Sequence, residues 1–184
     1  MDTNVTDRLG SYTRRGDLAD MRFERRYPRP IETVWAALTD PARLADWMGP
    51  ARVEPWLGGA FELMTDRAQP MIGRILAWEP PTVLEFSWTM GSDRHSVARY
   101  ELSRDGAGTR MVFTQTGVGY EAIGLMLPGW HHYYELLGQH LAGAPQALSW
   151  PRWRELQGMY LAEYGLEGVL TESSCAKEQP GATG

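Results

Sequence analysis

Residues 28–47 constrain the fold of this chain more than any other stretch, because they contain two short helices separated at Asp40-Pro41. Apolar residues recur in the first helix with the i, i+3, i+4, i+7 spacing of one buried face: Ile31, Val34, Trp35 and Leu38. Asp40 has the side chain to cap the second helix, and Pro41 suits its first position, where no N–H is needed. Only strand-like segments follow until about residue 120. This order predicts a sheet wrapped round a later helix, with a cavity between the two.

The strand-like segments alternate in polarity or are bounded by turn residues, as expected for a sheet. One precedes the helix pair and five follow it: residues 21–27, 60–65, 71–78, 82–90, 94–104 and 109–116. The strongest hairpin signal is the tetrapeptide Asp105-Gly106-Ala107-Gly108 between the last two segments. Short turns between successive strands predict an antiparallel meander.

Helical spacing returns in the C-terminal part of the chain. One stripe of a long helix consists of Trp130, Tyr134, Leu137 and Leu141. We expect Pro128-Gly129 to mark a kink or the start of this helix, and a last helix to begin near Pro151 and end at Gly165. The predicted fold class is therefore α+β. It has a curved antiparallel sheet around a long C-terminal helix, two short helices after the first strand, and one extra C-terminal helix.

Length and composition predict a single domain. The 184 residues, of which 43% are hydrophobic, are enough to bury one core. We expect the domain to span residues 18–168, with a flexible arm at 1–17 and a disordered polar tail at 169–184. The net charge of -5 argues against nucleic-acid binding, and the single Cys175 excludes a disulfide framework. No segment resembles a signal peptide or a membrane span, so we expect a cytoplasmic protein. We expect it to be a monomer or a homodimer.

A series of short motifs runs along the chain in a fixed order. It comprises residues 23–41, Trp47, Gly58-Gly59-Ala60-Phe61, Gly73-Arg74-Ile75, Pro80-Pro81-Thr82-Val83-Leu84, Phe86-Ser87-Trp88, Gly108-Thr109-Arg110, Gly129-Trp130, Leu137 and His140-Leu141-Ala142-Gly143. In order and spacing these motifs resemble the heat-shock ATPase activator homologue family. That family belongs to the START-related, birch-allergen-like superfamily, often called polyketide-cyclase-like or SRPBCC. The resemblance covers roughly residues 20–143, and the last helix also resembles one bacterial branch.

The resemblance implies a helix-grip fold with a cavity between the sheet and the long helix, but it does not imply one activity. Members of the superfamily bind lipids, steroids or polyketides, and some catalyse cyclisation, dehydration or hydrolysis. The eukaryotic namesake stimulates a chaperone ATPase and carries an additional N-terminal domain. We expect that this chain lacks that domain, because its length leaves no room for it, and we therefore expect no chaperone role.

Alternation along the strands and the helical stripe predict which side chains face the cavity. The candidate ligand-binding residues are Phe86, Trp88, Ala98, Tyr100, Phe113, Gln115, Trp130, Tyr133, Tyr134 and Leu137. Most are apolar, and the polar tips that would orient a ligand are the Trp88 indole N–H, the Tyr100 and Tyr134 hydroxyls and the Gln115 amide. In the alternative interpretation, the space is a solid core and these polar tips bond one another.

Charged and titratable residues give weaker signals. His131 and Glu135 stand at i, i+4, but the adjacent His131 and His132 point about 100° apart on a helix and cannot easily bind one metal ion. We interpret the histidines as a surface or rim pair, and expect no metal and no cofactor. The pairs Arg14-Arg15 and Arg25-Arg26 are interpreted as solvated charges rather than as an anion site. The sequence contains no recognisable set of nucleophile, base and orienting group.

Three classes of function remain open. The first is binding of an apolar, aromatic or polycyclic small molecule in the cavity. The second is an enzyme on the same scaffold, such as a polyketide-type cyclase, dehydratase or hydrolase, which a buried carboxylate or histidine facing the cavity would favour. The third is a protein-interaction module related to the ATPase activator, which an exposed apolar sheet face would favour.

Overall fold

The computed structural model describes residues 8–64, 70–89, 96–166 and 169. The strands in these ranges are β1 Ser11–Arg15, β2 Leu18–Tyr27, β3 Ala51–Val53, β4 Ala60–Leu63, β5 Met71–Glu79, β6 Val83–Trp88, β7 Ser96–Asp105 and β8 Gly108–Gly119. The α-helices are α1 Ile31–Thr39, α2 Pro41–Leu44, α3 Ile123–Leu141 and α4 Trp150–Tyr164. A 3-10 turn, Tyr120–Ala122, leads into α3. The predicted ends of three strands, at residues 65, 90 and 94, lie outside the described residues.

The strands form one antiparallel sheet in the order β1-β2-β8-β7-β6-β5-β4-β3. Strands β3 to β8 follow one another as a meander, and β2 closes on the last of them, with Tyr27 opposite Thr109. The hairpin at residues 105–108 forms as predicted, with Asp105 opposite Gly108. Register shifts interrupt the β2–β8 and β5–β6 pairings, and such irregularities bend a strand. The curved sheet wraps round α3, so the predicted helix-grip class is confirmed.

Alternation along the strands decides which face of the sheet is buried. In β2 the residues Met21, Phe23, Arg25 and Tyr27 are buried, while their neighbours are exposed or partly exposed. In β6 and β7 the same period of two buries Phe86 and Tyr100, among others. These side chains meet α3, and the core lies between the sheet and this helix.

The helix pair forms as the sequence predicts. The Asp40 carboxylate accepts a hydrogen bond from the Ala42 N–H at 2.9 Å, and Pro41 takes the first position of α2. The Trp47 indole N–H then donates to the Ala37 carbonyl at 2.9 Å, which ties the segment after α2 back onto α1. This brace fixes the connection between the first long strand and the meander.

Helix α3 runs through Pro128, which the sequence placed at a kink or at the helix start. Proline has no N–H to donate to the carbonyl four residues earlier, and that carbonyl belongs to Gly124. The Gln157 side chain of α4 donates to the Gly124 carbonyl at 2.9 Å. The missing helical bond is therefore replaced from a second helix, and α3 can begin at Ile123.

Strand β1 is an element that the sequence analysis did not predict, since it assigned residues 1–17 to a flexible arm. Residues 11–15 pair with β2, and the preceding Gly10 N–H donates to the Tyr160 hydroxyl at 2.7 Å. The strand is mostly exposed and polar, so it carries no alternation that would reveal it. A Cβ atom at Gly10 would clash with the Phe23 ring, so only glycine fits there. Residues 1–7 and 170–184 lie outside the described residues.

Candidate functional site

Six aromatic side chains meet between the sheet and α3, and we refer to them as the aromatic cluster: Phe86, Trp88, Tyr100, Phe113, Trp130 and Tyr134. Ring centroids lie 4.4 Å apart for Phe113 and Trp130, and 5.0 Å apart for Trp88 and Trp130. Tyr134 stacks on Trp130 at 5.6 Å. Strand alternation and the helical stripe thus converge on one space, since the first four rings come from β6, β7 and β8 and the last two from α3.

The other sequence-predicted site residues lie at or beside this cluster. Ala98 is fully buried on β7, directly between Phe86 of β6 and Gln115 of β8. Leu137 is buried in the core further along α3. Tyr133 is only half-buried, and its ring lies 6.2 Å from that of Trp130. The structure therefore brings the ten predicted residues to the inner face of the sheet or to α3.

Three of the four predicted polar tips, Gln115, Tyr100 and Tyr134, make hydrogen bonds within this space, as the solid-core interpretation predicts. The Trp130 indole N–H donates to the Gln115 side-chain oxygen at 2.7 Å, and the Gln115 amide donates to the Ser96 hydroxyl at 2.8 Å. The Tyr134 hydroxyl points to the Tyr100 hydroxyl at 3.5 Å. A polar group of a ligand would have to use the remaining lone pairs or displace these bonds. Ser96 was not predicted, because a serine at a strand end has no distinctive signal.

The phenols of the cluster are neutral. Burial raises the pKa of Tyr100 and raises the pKa of Tyr134 well above their ordinary value. Burial likewise raises the pKa of Tyr27, whose hydroxyl donates to the Tyr134 backbone carbonyl at 3.2 Å. The hydroxyls therefore act only as hydrogen-bonding groups at neutral pH.

Arg25 is buried, contrary to its interpretation as a solvated charge. Its side chain is 1% exposed, because β2 alternation turns it inward with Phe23 and Tyr27. One guanidinium nitrogen, Nη1, donates to the Glu24 carbonyl at 2.9 Å. The other two, Nε and Nη2, are buried without a hydrogen-bond partner. Its neighbour Arg26 is exposed and pairs with Asp105 at 3.3 Å, so only half of the predicted pair is solvated.

The surroundings of Arg25 are aromatic. Its guanidinium carbon lies 5.4 Å from the Phe23 ring centroid and 5.9 Å from that of Tyr134. Contacts of this kind contribute on the order of 0.5–2 kcal/mol each. Removing an ion from water costs several kcal/mol, so two ring faces do not offset the burial of this charge. A buried arginine with two guanidinium nitrogens that lack a hydrogen-bond partner is therefore an unusual feature that calls for a partner.

His131 is also buried, which corrects its interpretation as a surface or rim residue. The Tyr160 hydroxyl accepts the Gly10 N–H and lies 2.9 Å from His131 Nδ1. Because His131 Nε2 faces the Glu135 carboxylate at 3.9 Å, Nε2 keeps the proton and the hydroxyl donates to Nδ1. That assigns the neutral tautomer with the proton on Nε2. Burial, together with the charge of Arg25, lowers the pKa of His131 to about 4. Helix α4 covers this face of α3, and the spacing within α3 alone does not reveal that cover.

His132, the next residue of α3, is also buried, and it belongs to a polar group at the cleft between α3 and α4. Its Nδ1 lies 3.0 Å from the Glu135 carboxylate, and its Nε2 accepts the Ser149 backbone N–H at 2.9 Å. Burial alone would raise the pKa of Glu135, but hydrogen bonds from His132 and Arg152 lower it to about 2. The neighbouring cleft between α3 and α4 has a volume of about 400 Å³.

Serine, histidine and carboxylate at this cleft do not form a catalytic set. The Ser149 hydroxyl caps α4 by accepting the Arg152 N–H at 3.4 Å. His132 Nε2, the atom that would take a proton from a nucleophile, is occupied by the Ser149 backbone. The group therefore fastens α4 to α3. Among the described residues, no three His, Cys, Asp or Glu side chains are placed to hold a metal ion.

Comparison with known proteins decides the family. The family model described as Activator of Hsp90 ATPase homolog 1-like protein matches residues 28–142. The chain belongs to this family. The match covers the helix pair, the strands of the meander and the whole of α3, and it confirms the resemblance carried by the sequence motifs. No curated protein sequence matches the chain significantly.

Solved structures share the fold. CalU16 from Micromonospora echinospora is 26% identical, with a TM-score of 0.71, and the match covers 83% of this chain and 95% of CalU16. The BPP1335 protein from Bordetella parapertussis is 26% identical, with a TM-score of 0.66, covering 94% and 96%. DynU16, a protein in the dynemicin biosynthetic locus, is 23% identical, with a TM-score of 0.62, covering 67% and 48%. The likeness to DynU16 is one of fold. None of the helices within the described ranges has the length and apolar character that crossing a membrane requires.

Proposed function

We propose that this protein binds an apolar, aromatic or polycyclic small molecule between the sheet and α3. The observation that carries the proposal is the aromatic cluster, in which six rings from three strands and one helix meet in one buried space. Flat rings offer large apolar area with specific edge and face geometry, which suits an aromatic ligand. The few polar groups among them, at Gln115 and Ser96, would orient it.

Access to the cluster is expected from the side of Trp88 and Tyr133. Trp88 ends β6 and is the most exposed ring of the cluster, at 7%. Tyr133 is half-buried and flanks Trp130, with the Trp47 ring 6.5 Å away on its other side. An incoming ring would meet these side chains first and then contact Trp130.

The titratable groups near the aromatic cluster favour ligand binding over catalysis, because they do not supply a group for proton transfer. None of the described Asp or Glu residues is buried, and the cluster itself offers only neutral phenols. The buried His131 lies against Phe23 and has its Nδ1 occupied by Tyr160. General acid–base catalysis needs a proton-transfer group within reach of the ligand, and these residues do not supply one.

A protein-interaction module is favoured less. Among the described residues, the most exposed large apolar side chains are Leu57, Met64, Ile72 and Trp56. Met64 and Ile72 line one cleft, but Arg52 and Glu62 line the same cleft. Exposed apolar residues interspersed with charges are ordinary on protein surfaces.

The proposal is tested by blocking the space while preserving the fold. We would measure ligand-induced shifts in melting temperature with flavonoids, sterols and aromatic polyketides. A ligand that binds only the folded state adds about 2.7 kcal/mol at a hundredfold excess over Kd. Ala98→Phe places a ring inward between Phe86 and Gln115, which costs about 1–3 kcal/mol by overpacking and should abolish the ligand-induced shift.

The matched control is Val97→Phe, which adds a ring at the preceding residue of β7, on the outer face of the sheet. This variant should keep the wild-type shift. The decisive quantity is the shift caused by ligand, not the melting temperature of the free protein. If Ala98→Phe folds and responds to ligand as the wild type does, the ligand does not lie between sheet and helix.

A further inference from the structure

We propose that the ligand carries a carboxylate and that the guanidinium of Arg25 binds it. The inference rests on the proposed function, since it adds one charged contact to the same ligand. Its basis is the geometry of a single buried side chain. Nε and Nη2, the two nitrogens without a partner, share one edge of the guanidinium plane. That edge can donate two parallel N–H bonds to the two oxygens of a carboxylate.

Arg25 and the aromatic cluster are adjacent. Tyr134 belongs to the cluster, where it stacks on Trp130, and the guanidinium of Arg25 lies 5.9 Å from the centroid of the same Tyr134 ring. A flat ligand lying against the cluster would therefore bring a substituent at its end to Arg25. The ring supplies apolar contact area, and the arginine supplies a specific polar contact.

The groups round Arg25 leave its charge uncompensated. From β2 it is faced by Phe23 and Tyr27, from α3 by His131 and Tyr134, and from α4 by Tyr160. His131 and the three tyrosines are neutral at pH 7. Glu135, the one carboxylate of α3, lies 3.9 Å from His131 Nε2, but its hydrogen bonds go to His132 and Arg152. An anion is thus the charge that this space lacks.

A purely structural arginine, held by the Phe23 and Tyr134 rings, is the competing explanation. Ring faces attract a cation but do not accept hydrogen bonds in the plane of the Nε–Nη2 edge. A structural role predicts that replacing Arg25 lowers stability. A ligand-binding role predicts that an apolar replacement of similar volume leaves the free protein at least as stable, because an unpaired buried charge is removed.

The test uses two matched probes, 1-pyrenebutyric acid and 1-pyrenebutanol, which share the polycyclic ring and differ in the charged group. Affinities are measured by isothermal titration calorimetry at pH 7.5. The wild type should bind the acid about tenfold more tightly than the alcohol, or better, because charge-assisted bonds distinguish the two. Arg25→Met should bind both probes equally, with the affinity for the alcohol unchanged. The control Arg26→Met removes the exposed neighbour on the same strand and should keep the wild-type preference.

Each outcome has a separate meaning. Equal affinities in the wild type, or a preference for the acid that persists in Arg25→Met, overturn the carboxylate inference and leave the proposed function standing. If neither probe binds the wild type, the proposed function fails and the inference fails with it. The melting temperature of free Arg25→Met should equal or exceed that of the wild type. A variant that melts well below the wild type, or does not fold, assigns Arg25 to stability and overturns the inference.

Discussion

His131 illustrates at the scale of one residue how burial links the fold to pH. Its pKa falls from 6.5 to about 4, through burial first and the charge of Arg25 second. Because the folded-state pKa lies below the unfolded one, the unfolded chain takes up a proton first as the pH falls. The stability associated with neutral His131 is therefore complete above about pH 6.5 and is lost between pH 6.5 and 4. The pKa of Glu135 is lowered from 4.5 to about 2, so the stability associated with its ionised carboxylate is lost at more acidic pH, between about 4.5 and 2.

We expect the free energy of unfolding to fall from pH 7 to pH 4, by at most about 1.4 kcal/mol per pH unit for this one proton. His131→Asn keeps an acceptor close to the position of Nδ1 but cannot be protonated. This variant should show a shallower slope between pH 6.5 and 4, measured by urea unfolding at several pH values. A slope identical to that of the wild type would show that His131 is not buried as a neutral base.

The site was only partly predictable residue by residue. The aromatic cluster follows from alternation on three strands and the stripe of α3, because each ring occupies a position whose period alone turns it inward. Arg25 also has the inward period, but a charged side chain next to a second arginine is ordinarily interpreted as solvated. The Gly10–Tyr160–His131 chain joins residues far apart in sequence, and no local pattern connects them.

At the scale of elements, one of the hydrogen bonds that join α3 to α4 replaces a bond missing from α3 itself. Gln157 of α4 donates to the Gly124 carbonyl that Pro128 leaves without a helical partner. The bond is buried, so its loss would strand an acceptor in the core. Removing one partner of a buried bond costs about 1–3 kcal/mol.

Gln157→Leu should therefore lower the free energy of unfolding by about 1–3 kcal/mol. In a Pro128→Ala background the cost should shrink, because the substituted residue has the backbone N–H that the Gly124 carbonyl lacks in the wild type. Urea unfolding of the two single variants and the double variant gives the coupling between the positions. Additive effects would mean that Gln157 stabilises α4 by packing alone.

The individual strands and helices show which parts of the fold could be predicted from the sequence and which could not. Strands β2, β4 to β8 and helices α1 and α2 have alternation, caps or turn residues that predict them closely. The start of α3 was obscured because its first turns contain Pro128, whose lost bond is restored by a residue of another helix. Strand β1 was missed because its exposed polar residues pair through the backbone, which leaves little imprint on residue type.

At the scale of the whole molecule, the segment before β1 is fastened to the last helix. Tyr160 accepts the Gly10 N–H at 2.7 Å, and the Tyr164 hydroxyl donates to the Gly10 carbonyl at 2.8 Å. The two tyrosines stack, with centroids 6.2 Å apart. Both polar groups of Gly10 are thus held by α4, which itself packs on α3. Gly10 therefore joins the edge strand β1 to helix α4.

Tyr160→Phe and Tyr164→Phe form a matched pair that tests this junction. Tyr160→Phe leaves the buried Gly10 N–H and His131 Nδ1 without partners and should cost about 1–3 kcal/mol. Tyr164→Phe frees a partly buried carbonyl that water can reach, so it should cost about 0.5–1.5 kcal/mol or less. The free energies of unfolding are compared in urea. Equal losses would mean that α4 holds Gly10 through packing of the rings and not through Tyr160.

The tryptophans of this protein stand in pairs, and that arrangement gives the molecule optical properties of its own. Six of the eight indoles form three contacts: Trp35 with Trp78 at 5.2 Å, Trp88 with Trp130 at 5.0 Å, and Trp150 with Trp153 at 6.0 Å. At such separations the electronic transitions of two chromophores couple and split into a couplet of opposite sign in circular dichroism. Each pair belongs to a different region: the helix pair with β5, the aromatic cluster, and the start of α4. The spectrum therefore contains three local signals, of which only the Trp88–Trp130 couplet originates between the sheet and α3.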